Sequence, residues 1–141
     1  MTDMEIAKKY LIEEDLTIIA VKNKEIVFKS KKRGISPMYQ LGKEKKDLVK
    51  DGALADKVIG KGAALLCKYM GIKEVYGELI SESAMEVLEK ENIKFTYLKS
   101  TEYIKNKDQT NLCPIENLAM DINDGEIMLE KIGEFLDKVS S

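Results

Sequence analysis

The sequence contains no histidine among its 141 residues. This absence excludes a histidine-containing zinc site, a Ser-His or Cys-His nucleophile pair, and acid–base catalysis by imidazole. The two cysteines, Cys67 and Cys113, are too few for a disulfide framework or for a four-thiolate metal site. No complete catalytic motif remains, so the residue types alone do not name a reaction.

The chain also lacks a long apolar run and a strong excess of one charge. Apolar stretches such as residues 18–21 are far shorter than a membrane span of about 20 residues. The acidic N-terminus has no signal-peptide pattern. The formal net charge of −2 gives no electrostatic case for binding nucleic acid or an anionic membrane. We therefore expect a cytoplasmic protein with reduced thiols, without nucleic acid or membrane as partners.

What is present fits one α/β domain. The chain is 44% apolar and 34% charged, which is typical of a soluble globular domain of this length. A capping box at Thr2 and Glu5 predicts a helix over residues 3–13. Two β-branched runs, 16–21 and 25–28, predict a hairpin, and a short helix follows over 43–50.

The second half of the sequence alternates between helix and strand patterns. The clearest helix is predicted over 57–70, with Asp56 as its N-cap and Gly71 at its C-terminal end. The remaining elements are a strand over 73–80, a helix opened by a capping box at Ser83 and continuing to about 91, a strand over 94–98, a short helix from Pro114 and a helix from 126. This order predicts a three-layer α/β/α domain spanning 1–141, with a mixed sheet of four to five strands and helices on both faces.

Cys113 is the first residue of the strongest local motif, Cys-Pro-Ile-Glu. Proline suits the first helical position, which makes Cys113 the N-cap and Glu116 the third helical residue. A helix N-terminus can lower the pKa of a thiol and favour the thiolate. Cys113 is therefore a candidate nucleophile or ligand contact, and the alternative is a small buried residue before a helix. Cys67 lies mid-helix and is expected to belong to the core.

Asp56 offers a carboxylate at a predicted helix start. In open α/β sheets, ligands bind at the carboxyl ends of strands, where helix N-termini present free N–H groups. Asp56 is therefore a candidate acid–base or orienting group beside Cys113, while a purely structural cap is the alternative. We also expect ligand contacts from Lys57, Ser81, Ser83 and Glu116.

The Gly-Lys-Gly at residues 60–62 superficially resembles a phosphate loop. The phosphate-loop pattern requires glycine where Ala55 stands and serine or threonine where Gly62 stands. The glycines also fall inside the predicted helix, so this interpretation is rejected. They instead predict close packing of one helix side against the sheet or a neighbouring helix, with room for a ligand as the alternative.

Two polar segments are further candidates for ligand binding. Arg33, the only arginine, can hold a carboxylate or phosphate through its planar guanidinium, or belong to a solvated charge run. The stretch 99–112 is long enough for a binding loop or an ordinary surface connection. Its polar candidates are Asn106, Lys107, Asp108, Thr110 and Asn111.

The motif at residues 56–64 and the Lys-Glu-Val-Tyr at 73–76 resemble a small uncharacterised prokaryotic family with a fold similar to that of cytidine deaminases. The Cys-Pro-Ile-Glu at 113–116 and the Arg-Gly at 33–34 match it as well, so the resemblance spans nearly the whole chain. It implies the deaminase scaffold and the location of its pocket.

The same resemblance argues against zinc-dependent deamination. Zinc deaminases place His-x-Glu or Cys-x-Glu at the central helix and Pro-Cys-x-x-Cys at the next one. The matching positions here hold Asp56, Val58 and the Ser-Glu-Ser-Ala of 81–84, so the catalytic glutamate and both cysteine ligands are missing. We expect no metal and no cofactor.

These observations lead to two functional hypotheses. The first is a zinc-free, deaminase-like domain that binds a small molecule, such as a nucleoside or nucleotide, with Cys113 and Asp56 as a catalytic pair. The second is a non-catalytic ligand-sensing or protein-interaction module that uses the same pocket. A homodimer is compatible with either hypothesis.

Overall fold

The computed structural model describes residues 1–106, 108–109 and 111–140. Seven helices and five strands lie within these residues. In chain order they are α1 (Asp3–Glu13), β1 (Ile18–Lys22), β2 (Glu25–Ser30), α2 (Ser36–Glu44), α3 (Lys46–Val49), β3 (Ala53–Ile59), α4 (Lys61–Met70), β4 (Glu74–Ser81), α5 (Glu82–Lys90), β5 (Lys94–Thr101), α6 (Pro114–Ala119) and α7 (Gly125–Ser140).

The five strands form one mixed sheet in the order β2-β1-β3-β4-β5. The β1 strand runs antiparallel to both β2 and β3, whereas β3, β4 and β5 are parallel to one another. The β1–β2 turn places Asn23 and Lys24 at φ of 51° and 66°. The carboxylate of Asp3 accepts a hydrogen bond from each of their backbone N–H groups, at 3.1 and 2.7 Å, which ties the turn to α1.

The sheet has helices on both faces, as predicted, but they are unevenly divided. Of the helices described, only α1 packs on one face, where Ala7 and Leu11 meet Ile19, Ala55 and other buried residues of the sheet. On the other face a larger core contains residues from α2 through α7 together with β1, β3 and β4. The architecture is therefore a three-layer α/β/α domain with one thin and one thick helical layer.

The central strand β3 was not predicted from the sequence, and its presence corrects the role of Asp56. That residue lies inside β3, opposite Ile18 of β1 and Gly77 of β4, and is not the N-cap of α4. The helix begins at Lys61, with Gly60 as its N-cap. A short apolar run carries too little periodicity to distinguish a buried strand from a helical turn, which explains the wrong prediction.

The predicted helix over 43–50 is also wrong in its bounds. The chain forms α2 from Ser36 and then the short α3, which ends at Val49. Pro37 occupies the first turn of α2. Proline is tolerated there because the backbone N–H that it lacks would have no intrahelical partner.

Several local predictions are confirmed. Thr2 and Glu5 form the capping box of α1, Gly71 ends α4 with a φ of +70°, and Cys113 is the N-cap of α6. The α5 helix begins slightly earlier than predicted, because Ser81 rather than Ser83 is its N-cap. These confirmed features all depend on contacts between residues that are close in sequence.

Candidate functional site

A cleft of about 730 Å³ lies at the carboxyl ends of the parallel strands. Val58 near the end of β3, Leu79 near the end of β4 and Thr101 at the end of β5 all line it. Gly60 and Gly62 bring the start of α4 to the same cleft. This is the location at which open α/β sheets bind ligands.

The cleft is lined by apolar and polar side chains that differ in exposure. Ala63, Ile104 and Ile115 are buried apolar residues of the lining, and Val58 is 43% exposed. The polar lining residues include Thr17, Arg33, Lys57, Lys105, Asn106 and Gln109. Apolar surface with a few polar groups is the usual composition of a small-molecule site.

One wall of the cleft is formed by the segment between β5 and α6. This segment folds back on itself, because Lys105 and Leu112 form an antiparallel bridge. Cys113 donates its backbone N–H to Ile104 O at 3.0 Å, and Asn106 donates its own to Asn111 O at 2.9 Å. Residues 104–106, 108–109 and 111–113, which we name the cleft hairpin, thereby bring Cys113 beside the strand ends.

Glu116 joins the cleft hairpin to α4. Its side chain is buried, with only 3% of the residue exposed. Oε1 accepts the backbone N–H of Lys61 at 2.9 Å, and Oε2 accepts that of Ile104. Gly60 provides no side-chain cap, so Glu116 caps α4 from a distant part of the chain. Glu116 was predicted as a ligand contact; it lines the cleft, but both of its oxygens already accept hydrogen bonds.

The Gly-Lys-Gly at 60–62 is explained by the same contact between α4 and α6. These residues lie at the start of α4 and not inside it, which corrects the expected position. A Cβ on Gly60 would lie 3.1 Å from Oε1 of Glu116, and one on Gly62 would lie 2.8 Å from Cγ2 of Ile115. Both glycines therefore permit α6 to approach the N-terminus of α4.

Asp56 is a partly buried carboxyl group in the cleft lining. Burial raises its pKa from the ordinary value of 3.8 to about 8, and the nearby charge of Glu78 acts in the same direction. The backbone N–H groups of Val58 and Lys57 lower the pKa in part, and the Val58 N–H lies 3.1 Å from Oδ1. Asp56 is therefore mainly protonated at neutral pH.

The two cysteines lie in different environments. Cys67 is fully buried in α4, where burial raises the pKa of its thiol, and the charge of Asp56 adds to that effect. Cys113 is partly exposed and lines the cleft together with Asp56. The structure therefore brings the two candidate catalytic residues to one cavity.

The basic lining residues differ in whether they have a partner. Nζ of Lys57 lies 2.6 Å from Oδ1 of Asp15, an ion pair that lowers the pKa of Asp15. Arg33 and Lys105 are exposed and form no ion pair within the described part of the chain.

Four predicted ligand contacts among the described residues lie outside this cleft: Ser81, Ser83, Asp108 and Asn111. Ser81 is fully buried, and its Oγ accepts the backbone N–H of Ala84 at 3.1 Å as the cap of α5. Ser83 lines a separate pocket of about 350 Å³, and Asp108 is an exposed residue of the cleft hairpin. Lys107 and Thr110, expected in the binding loop, lie outside the described residues.

Sequence reasoning did not identify Thr17, Tyr103 or Lys105 as cleft residues. Thr17 lies in the connection between α1 and β1, and it reaches the cleft because β1 pairs with β3. Tyr103 and Lys105 directly follow β5, so a rule that collects polar residues after each parallel strand would have found them.

The residues that the sequence resemblance matched to the deaminase zinc-site positions do not fit a zinc ion. Asp56 is a single carboxyl group, Val58 has no donor atom, and Ser81 Oγ already bonds the start of α5. Within the residues described, no group of three or more Cys, Asp or Glu side chains is placed to hold a metal ion. Among the helices described, none has both the length and the apolar character needed to cross a membrane.

The fold and the cleft define the class: an α/β domain with a ligand-sized cavity at the carboxyl ends of its parallel strands. The family profile TM1506, described as a domain of unknown function (DUF1893), matches residues 6–136. The chain belongs to this family. The sequence-based assignment to a family without a known activity is thereby confirmed.

A crystal structure of a DUF1893 family protein (TM1506) from Thermotoga maritima is similar to this chain. The two share 24% sequence identity and a TM-score of 0.82, over 93% of this chain and 88% of the other. At this identity the similarity shows the fold alone. None of the curated proteins compared with this sequence matches it.

Proposed function

We propose that the protein binds a small organic molecule in the cleft at the carboxyl ends of β3, β4 and β5. The observation that carries this proposal is the cavity itself, whose volume of about 730 Å³ is within the range of ligand sites. Its buried apolar residues can contact an uncharged ring, and its polar residues can orient it.

A nucleoside or nucleotide is the ligand class that we propose, on a deaminase-like scaffold without zinc. The resemblance of the motif at residues 56–64 to the deaminase-like family supports this class. The protonated Asp56 supports it as well, because a neutral carboxyl group both donates and accepts a hydrogen bond, as the edge of a nucleobase requires.

Calorimetric titration of the purified protein with the four common nucleosides and their 5′-monophosphates tests this proposal. At least one of them is expected to bind the unmodified protein. Val58→Trp adds bulk to a partly exposed cleft residue and should weaken that binding at least tenfold. The matched control is Val139→Trp, which changes a residue that is 63% exposed on α7, outside the cleft lining.

Two results would contradict the proposal. One is the absence of binding by every nucleoside and nucleotide. The other is equal loss of binding in Val58→Trp and Val139→Trp, which would place the ligand elsewhere.

We further propose that Cys113 acts as a nucleophile and Asp56 as an acid–base or orienting group. Their presence in one cleft and the partial exposure of Cys113 support this assignment. It predicts that Cys113 is alkylated rapidly at neutral pH, because the thiolate is the reactive form.

Cys67 is the internal control in that measurement. It is fully buried, so its alkylation should require unfolding. If the alkylation rate of Cys113 rises with pH as that of an ordinary free thiol does, the catalytic assignment is contradicted. A ligand-sensing module that binds without turnover is then the better description.

A further inference from the structure

We infer that the ligand of the cleft carries an oxyanion group, a phosphate or a carboxylate, and that Arg33 and Lys105 bind this group. The inference rests on the proposed function and deepens it, because it separates an anionic ligand from an uncharged one of the same shape.

The first support is the pairing of the basic residues around the cleft. The cleft lining contains three cationic side chains, those of Arg33, Lys57 and Lys105. The charge of Lys57 is compensated by Asp15 at 2.6 Å. Those of Arg33 and Lys105 form no salt bridge among the residues described, although the charge of Arg33 makes a small contribution to lowering the pKa of Asp15. Both are therefore available to a ligand.

The second support is the small amount of opposing negative charge. The acidic side chains of the lining are Asp56 and Glu116. Asp56 carries little charge at neutral pH, since its pKa is raised to about 8 by burial. The two oxygens of Glu116 accept the N–H groups of Lys61 and Ile104 and do not approach the basic residues as partners. Apart from Asp56, the lining therefore holds three basic side chains and one acidic side chain, that of Glu116, while Glu78 acts on Asp56 from outside the lining.

The third support is the backbone on which the two basic residues stand. The N–H of Lys32 donates to Ser30 Oγ at 3.1 Å, and its carbonyl accepts the hydroxyl of Thr17 at 2.6 Å. Arg33 follows directly, and Lys105 lies in the bridge of the cleft hairpin. Exposed side chains on a fixed backbone lose less conformational freedom when they bind a ligand.

The apolar part of the lining determines what else the ligand contains. Ala63 and Ile115 are buried, and Val58 and Leu79 lie at the strand ends. An inorganic anion alone would leave this surface without a contact. The expected ligand is therefore an apolar or aromatic group joined to an oxyanion.

Calorimetry at fixed pH and ionic strength tests the inference with matched ligands. The probes are each nucleoside, its 5′-monophosphate, its 5′-carboxylate and inorganic phosphate. The unmodified protein should bind a monophosphate or a carboxylate about 10- to 100-fold more tightly than the parent nucleoside, the range expected for a charge-assisted hydrogen bond. Whichever of the two derivatives, the 5′-monophosphate or the 5′-carboxylate, binds more tightly identifies the oxyanion.

Variants locate the effect within the cleft. Arg33→Gln and Lys105→Gln should each reduce the preference for the anionic ligand about tenfold or more, while the affinity for the nucleoside stays the same. Lys73→Gln is the matched control, since it removes an exposed lysine at the start of β4, the end of the sheet opposite the cleft. It should leave the preference unchanged.

The outcomes separate this inference from the proposed function. Equal affinities for a nucleoside and its anionic derivatives overturn the inference and leave the proposed function in place. Binding of inorganic phosphate as tight as that of the monophosphate overturns the ligand class, because the apolar lining then contributes nothing. If no organic probe binds, the proposed function fails and the inference fails with it.

Discussion

The two ends of α4 are built in different ways. At the C-terminal end, Gly71 has a φ of +70° and donates its N–H to Lys68 O at 3.1 Å, while Ile72 donates to Cys67 O at 3.1 Å. Both of these acceptors lie within five residues of their donors, although the carbonyl of Gly71 also accepts the N–H of Asp51 at 2.8 Å. At the N-terminal end, the backbone N–H of Lys61 donates a hydrogen bond to Oε1 of Glu116, which lies 55 positions further along the chain.

The difference shows where the cleft comes from. The C-terminal end of α4 is capped by its own neighbours in the sequence, and the Gly71 end faces no cleft in the described structure. The N-terminal end of α4 is capped by Glu116 of α6, and the cavity lies between α4, α6 and the cleft hairpin. The non-local cap and the candidate site are therefore two consequences of one packing arrangement.

The largest effect is expected when the non-local cap is removed. Glu116→Ala leaves the N–H groups of Lys61 and Ile104 without their acceptor, and both groups lie in a largely buried region. Each unsatisfied group costs about 1–3 kcal/mol. We expect a loss of about 3 kcal/mol in the free energy of unfolding, measured by urea denaturation.

Glu116→Gln is the conservative variant, since its side chain keeps one carbonyl acceptor. Its free energy of unfolding should fall by about half as much as that of Glu116→Ala. Glu126→Ala, at an exposed glutamate in the first turn of α7, controls for loss of a carboxylate near a helix start. Hydrogen exchange at the Lys61 and Ile104 amides should accelerate only in the Glu116 variants. A loss below about 1 kcal/mol in Glu116→Ala would show that α4 does not depend on this cap.

A smaller effect, with a sign that depends on pH, is expected at Asp56. Its folded-state pKa is raised from 3.8 to about 8, so folding opposes ionisation between these values. The stability contributed by the protonated form is fully present below pH 3.8 and is lost as pH rises through 8. The side chain in Asp56→Asn cannot ionise. Above pH 8 the free energy of unfolding of this variant should therefore exceed that of the natural protein by about 2 kcal/mol.

Urea denaturation at acidic, neutral and alkaline pH measures this difference. Asp121→Asn, at an exposed carboxyl group, is the matched control and should leave the pH dependence unchanged. The free energy of unfolding of Asp56→Asn could instead differ from that of the natural protein by the same amount at every pH. That result would mean that Asp56 is ionised in the folded state and adds a negative charge to the cleft.

The smallest effect is expected at the local end of α4. Gly71→Ala places a Cβ on a residue at φ +70°, which costs about 1 kcal/mol. Gly71→Asn should cost less, because asparagine tolerates this conformation better. Neither variant should change ligand affinity. If Gly71→Ala lowered the free energy of unfolding as much as Glu116→Ala does, the proposed difference between the two ends of α4 would be contradicted.

Local sequence signals predicted much of the fold but little of the site. The capping box at Thr2, the glycine at 71 and the proline at 114 were interpreted correctly because each acts on its immediate neighbours. The β3 strand was missed because its residues are buried between two other strands, and a short buried run has no distinctive period. Asp56 was chosen for a reason that proved wrong, yet it lies in the cleft.

The sequence by itself determined the class of fold, the local helix ends and the absence of imidazole chemistry, because composition and short-range patterns fix these properties. Only the tertiary structure decided which polar groups share a cavity. Arg33, Asp56, Lys105 and Cys113 come from three separate segments, since Lys105 and Cys113 share the cleft hairpin. They meet because the sheet order and the α4–α6 contact bring those segments together. Burial and charge pairing also arise from that packing, so the protonation of Asp56 and the ion pair of Lys57 with Asp15 have no signature in the linear sequence.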